Sequence, residues 1–154
     1  MAFPLTSVLD SFDRANSGTL GSAWSEAFGI GSRWGINTNL AAPQAAQASE
    51  YWNATTYTDV EAFATITTKP ADSTGSFSLL LRAGGVGSIA TLDGYVISVF
   101  PVTGTDIIRV QRLDNGSATA LGADLSQEVT AGDVLGARMV GSTIYVYLNG
   151  TEIM

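Results

Sequence analysis

The side chains that enzymes use most are missing from this sequence, which has no histidine and no cysteine. Without imidazole there is no Ser-His-Asp triad and little scope for a transition-metal site. Without thiols there are no disulfides, zinc-thiolate centres, iron–sulfur clusters or thiol nucleophiles. Carboxylates, aromatic rings and a few arginines remain. Asp59 and Glu61 stand at i and i+2 and therefore share one face of a strand. Such a pair could support acid–base cleavage of a glycoside. No third carboxylate follows in the run, however, and the two read as solvated charges on a strand's outer face. Trp52, with Tyr51 and Tyr57, is denser in rings than a surface usually is and could stack on sugars. Trp24 and Trp34 read as packing residues. Arg82 interrupts an apolar run and by alternation falls on the face of Ser78 and Leu80. It reads either as a lone outward cation or as a polar anchor in a groove, with Tyr95 beside it. Trp52, Tyr57, Arg82 and Tyr95 are thus the candidate binding residues.

These side chains must be held by strands. Period-two alternation recurs in short runs rich in Val, Ile, Thr and aromatics. Val60, Ala62, Ala64 and Ile66 form one such set, and Phe77, Leu79, Leu81 and Ala83 another. A third run, 94–100, is closed by Pro101; Ile107, Arg109, Gln111 and Leu113 form a fourth set, and Ile144, Val146 and Leu148 a fifth. Turn chemistry separates them at 68–75, 84–87, 114–116 and 131–133. The glycines of 84–87 are no phosphate loop, since neither Lys-Ser/Thr nor a strand–turn–helix setting follows. Residues 40–50 come nearest to a helix, but Pro43 makes a loop or short strand equally suitable. The pattern predicts an all-β antiparallel sandwich or barrel in one domain, 1–154.

Composition narrows the partners. The chain has 154 residues, 45% of them hydrophobic and only 14% charged, against about 25% charged in typical soluble domains. Seven Lys and Arg against fourteen Asp and Glu give a net charge of −7, which argues against a nucleic-acid binder. The N-terminus lacks the basic start of a secretory signal, and no run approaches the ~20 apolar residues of a membrane span. The expected site of synthesis is the cytosol. Asn53-Ala-Thr, Asn115-Gly-Ser and Asn149-Gly-Thr match the glycosylation triplet but read as turns.

Three stretches together carry a resemblance. Val8-Leu-Asp-Ser-Phe-Asp-Arg-Ala-Asn-Ser-Gly-Thr-Leu-Gly-Ser-Ala-Trp24 resembles the opening of concanavalin A-like, laminin-G-like jelly-roll modules. Trp34-Gly-Ile-Asn-Thr-Asn-Leu40 resembles their next strand pair. Asp93-Gly-Tyr-Val, Ile108-Arg-Val and Ile144-Tyr-Val-Tyr-Leu-Asn-Gly-Thr-Glu-Ile153 resemble later strands. The resemblance implies two curved sheets whose concave face binds glycans. It also raises calcium, with Asp10, Asp13 and Asn16 as oxygen donors, although no recognised calcium loop surrounds them. The dense acidic strand motif of the hydrolase relatives is absent, so no catalysis is expected.

Such modules occur in phage tails and other virion proteins, in secreted bacterial proteins and beside glycoside hydrolases. Absence of a signal, of Cys and of His suits a virion component assembled in the host cytoplasm and released by lysis. The expectation is a bacteriophage minor tail protein, homo-oligomeric, contacting other virion subunits and binding host-surface glycans. The alternatives are a carbohydrate-binding module of an extracellular polysaccharide-degrading protein and a capsid decoration protein. Asn149-Gly150 promises a hairpin whose return strand is at most 151–154, shorter than the resemblance implies. The chain is therefore expected to be the N-terminal part of a longer polypeptide, or to be completed by a strand from another subunit.

Overall fold

The computed structural model describes residues 3–55 and 57–154; Met1 and Ala2, which open the run read for targeting, and Thr56 lie outside the described residues. The strands are β1 (Trp24–Glu26), β2 (Trp34–Asn37), β3 (Leu40–Pro43), β4 (Glu50–Trp52), β5 (Val60–Thr65), β6 (Phe77–Gly84), β7 (Asp93–Phe100), β8 (Ile107–Asp114), β9 (Ser117–Ala120), β10 (Leu125–Ser126), β11 (Val134–Val140), β12 (Thr143–Leu148) and β13 (Thr151–Glu152). All pairings among them are antiparallel. One 3-10 turn, Ile89–Thr91, is the only helical segment among the described residues. The alternating runs become β5, β6, β7, β8 and β12, while 40–50 yields β3, a turn and the first residue of β4.

Two larger sheets carry the core. One runs β13-β12-β11-β5, and the other runs β10-β8-β7-β6 with β9 also on β8. Leu135, Ala137, Met139, Val146 and Leu148 of the first meet Leu79, Leu81, Ile97, Val99, Ile108 and Val110 of the second. Each such aliphatic side chain contributes roughly 1.5–3 kcal/mol on full burial. The result is an all-β molecule of several antiparallel sheets, consistent with a β-sandwich. Smaller pairs, β1-β4 and β2-β3, form the N-terminal part.

Type I′ turns set the hairpin registers. Asn115 and Gly116 have φ of 47° and 73° between paired Asp114 and Ser117; Asn149 and Gly150 have 52° and 80° between Leu148 and Thr151. After β13, the Ile153 amide donates to Val146 O at 2.8 Å and the Val146 amide to Met154 O at 2.7 Å. Ile153 and Met154 then pack against the core, so this edge is short.

The segments that cross between the sheets, 66–76 and 127–133, meet at Asp106, which is fully buried. Its carboxylate accepts from Lys69 Nζ at 2.8 Å, the Val129 amide at 3.0 Å and the Val102 amide at 3.4 Å. Burial pushes this carboxyl up, but the Lys69 ammonium and the amide donors outweigh burial and hold it below its ordinary value.

Candidate binding surface

Two of the four candidate residues come together. Arg82 and Tyr95 line a shallow depression of about 290 Å³ with Asp93, Gly94, Arg112, Leu113 and Asp114. Pairing across β6, β7 and β8 builds it, with Leu81, Tyr95 and Arg112 in one row and Gly94 opposite Leu113. Strict alternation does not describe Arg82. A β-bulge shifts the register between Leu81 and Gly84, and Arg82 takes a left-handed φ of 49°. Arg82 thus sits at the bulge, between the paired residues Leu81 and Gly84. There its Nη2 reaches Asp59 Oδ1 at a long 3.4 Å, and its buried Nε has no hydrogen-bond partner among the described residues. Arginine forks, carboxylates and a phenol in one depression can pair with neighbouring hydroxyls of a sugar ring. The volume lies just below the range of typical ligand sites, which run from roughly 300 Å³ upward.

Trp52 and Tyr57 do not join them. Trp52 lies opposite Trp24 in the β1–β4 pair, and the rings meet edge to face at 5.4 Å. Trp24 Nε1 in turn donates to Asp10 Oδ2 at 3.0 Å. Trp52 is therefore half-buried in an aromatic contact rather than a free platform, because its cross-strand neighbour is another large ring. Tyr57, 51% exposed, makes no ring contact with Trp52 among the described residues. Trp24 and Trp34 do pack, but half-buried and outside the main core; Trp34 Nε1 donates to Ala48 O at 2.9 Å.

The carboxylates correct a second expectation. Asp59 is exposed, and its Oδ1 accepts from the Gly141 amide at 3.0 Å. Glu61 is not solvated: its side chain is only 5% exposed. Oε2 accepts from Arg138 Nε at 2.8 Å and Nη2 at 2.6 Å. Oε1 accepts from the Leu5 and Thr6 amides at 2.8 and 3.0 Å and from Thr6 Oγ1 at 2.9 Å. Burial pushes Glu61 up, yet the Thr6 amide, the Arg138 guanidinium and the other donors bring it below its ordinary value. A carboxylate so occupied has no oxygen free for acid–base work.

Nor do the oxygen donors at the N-terminus converge on a cation. Asp10 is ion-paired to Arg14 at 2.7 Å and accepts from the Phe12 amide and Trp24 Nε1; Asn16 Oδ1 accepts from the Thr38 amide at 2.8 Å. The Arg14 bond, partly opposed by burial, holds Asp10 down at about 2. Among the described residues no group of three or more His, Cys, Asp or Glu could hold a metal ion.

Sequence reasoning missed one pair. Glu26 and Glu50 are direct cross-strand partners, beside Trp24 and Trp52 on the same face of β1–β4. Glu26 Oε1 accepts from the Ile30 amide at 2.6 Å and the Ser32 amide at 3.2 Å, whereas Glu50 Oε2 is buried without a partner among the described residues. Burial pushes the Glu50 carboxyl up, and the Glu26 charge adds to it; the Trp34 amide and Arg33 only partly offset the rise. The readable signal is the mirrored order of Trp24-Ser-Glu26 and Glu50-Tyr-Trp52, which antiparallel pairing superposes. No protein-family model, curated protein or solved structure matches this chain.

Proposed function

We propose that the chain is a non-catalytic, tail-associated virion component of the concanavalin A-like jelly-roll type. Its sandwich packs against neighbouring subunits and binds host-surface glycans. The binding site in this reading is the depression around Arg82 and Tyr95. The observation that carries it is Arg82 itself: a non-glycine residue in a left-handed conformation, lining that depression, with a buried Nε that has no partner among the described residues. Backbone strain and an unmet donor at one residue are costs that a bound hydroxyl-rich ligand offsets. The net charge of −7 weighs against a nucleic acid, and the mixed arginines, carboxylates and phenol of the depression suit a hydroxyl-rich ligand. Many copies in a virion make weak single sites sufficient.

A glycan array probed with multivalent protein tests this reading. Arg82→Ala is expected to lose signal by roughly tenfold to a hundredfold, the range for removing a charged hydrogen bond. Trp52→Ala is expected to keep it, since that ring packs on Trp24. Absence of any glycan signal from folded multivalent wild type would overturn the assignment.

A further inference from the structure

The outer face of the β13-β12-β11-β5 sheet is occupied by the chain's own residues 3–6. Phe3 stacks on Tyr147 with ring centroids 4.1 Å apart and planes 11° from parallel, and it meets Phe63 edge-on at 6.0 Å. The Arg138 guanidinium lies 5.6 Å from the Phe3 ring centre and 5.5 Å from that of Tyr147. The floor of this slot is Gly136, where an added Cβ would overlap the Phe3 ring. At the mouth, Glu61 receives both amides of Leu5 and Thr6 and the Thr6 hydroxyl. Strands β5, β11 and β12 thus build a receptor that reads an aromatic ring and the backbone two and three residues beyond it.

The segment that fills the receptor is tethered loosely. Ser7, Val8 and Leu9 are exposed and make no hydrogen bond among the described residues, and the next anchored residue is Asp10, held by Arg14 and Trp24. Leu5, Val8 and Leu9 are 61%, 64% and 53% exposed, three aliphatic side chains left in water on one short arm.

We propose that the slot is an inter-subunit receptor, in which residues 3–6 of one copy dock on the sheet of another. Every contact that seats Phe3 and Thr6 is the same whichever copy supplies the arm, which makes exchange inexpensive. Straightening 7–9 breaks no hydrogen bond among the described residues. Burial of Leu5, Val8 and Leu9 between linked copies favours the exchanged form, and rising concentration favours it further. The inference is independent of the glycan reading, since slot and depression share no residue.

Light scattering after size exclusion, over rising concentration, tests it with two variants of the full chain. Phe3→Ala spoils the arm and leaves the slot; Gly136→Leu blocks the slot and leaves the arm. Wild type is expected to shift from monomer to larger species as concentration rises, and each variant alone to stay monomeric. An equimolar mixture of the two is expected to form a mixed dimer with one arm seated in one slot. Wild type that stays monomeric throughout, association undiminished in both variants, or no mixed dimer overturns the proposal. Should Gly136→Leu fail to fold, a synthetic peptide of residues 3–9 replaces it. Saturable binding of that peptide to Phe3→Ala protein supports the receptor, and its absence overturns it.

Discussion

Single carboxylates in this molecule are divided by what surrounds them. Asp106 has a cation and two amides; Asp10 has an arginine, an amide and an indole; Glu50 has a buried oxygen with no partner among the described residues. Removing Asp106 leaves the Val129 and Val102 amides without this acceptor, while Lys69 keeps Glu128 Oε1 at 3.1 Å. Asp106→Ala is therefore expected to lower unfolding stability by about 1–3 kcal/mol in a urea titration, the cost of unmet buried donors. Asp10 and Asp106 both titrate below their unfolded value of 3.8, so the stability they confer is present above that pH and drains away on acidification. For Asp10 the loss falls between pH 3.8 and about 2, and Asp10→Asn is expected to remove that part of the acid transition. Glu50 works the other way. Its carboxyl is raised, so ionising it costs stability as pH climbs past the unfolded value, and the cost persists at neutral pH. Glu50→Gln is expected to raise the melting temperature at pH 7 and to lose that advantage at acid pH, where wild-type Glu50 is itself neutral.

At the scale of elements, the bulge in β6 bears most directly on the proposed binding site. It interrupts the ladder between Leu81 and Gly84, and Arg82 occupies a left-handed backbone that glycine adopts without cost. Arg82→Gly is expected to keep or raise thermal stability, by up to about 1 kcal/mol, while lowering the proposed glycan binding as Arg82→Ala does. A drop in stability equal to that of a core truncation would show that Arg82 serves the fold instead. Strand β11 teaches a related lesson. It was absent from the alternating runs because Gly136 and Arg138 occupy its outer positions, where strand-forming residues are usually found. Its inner residues Leu135, Ala137 and Met139 are nevertheless buried in the core. The glycine is there to admit the Phe3 ring, and the arginine to pair with Glu61. Leu135→Ala is expected to cost about 2–5 kcal/mol in the same urea titration, as for any buried leucine truncated to a cavity.

For the molecule as a whole, the all-β architecture, the five alternating strands and both Asn-Gly turns were legible in the chain, because period-two burial and positive-φ turns are local properties. So were the exclusions that follow from having no Cys and no His. The partners of each polar group were not legible. Glu61 looked like a surface charge, since nothing within its own strand reveals that Arg138, seventy-seven positions away, and the amides of Leu5 and Thr6 converge on it. Arg82 and Tyr95 could be named from local pattern, yet their meeting in one depression depends on a bulge that no alternation rule foresees. Trp52 and Tyr57, five positions apart, make no ring contact among the described residues, while Trp24 and Trp52, twenty-eight positions apart, touch. The amino-acid order by itself determined which segments extend, where they turn and which faces turn inward. Only the tertiary structure decided which outward side chains face water and which face each other, because cross-strand pairing joins distant residues through contacts that carry no local periodic signal.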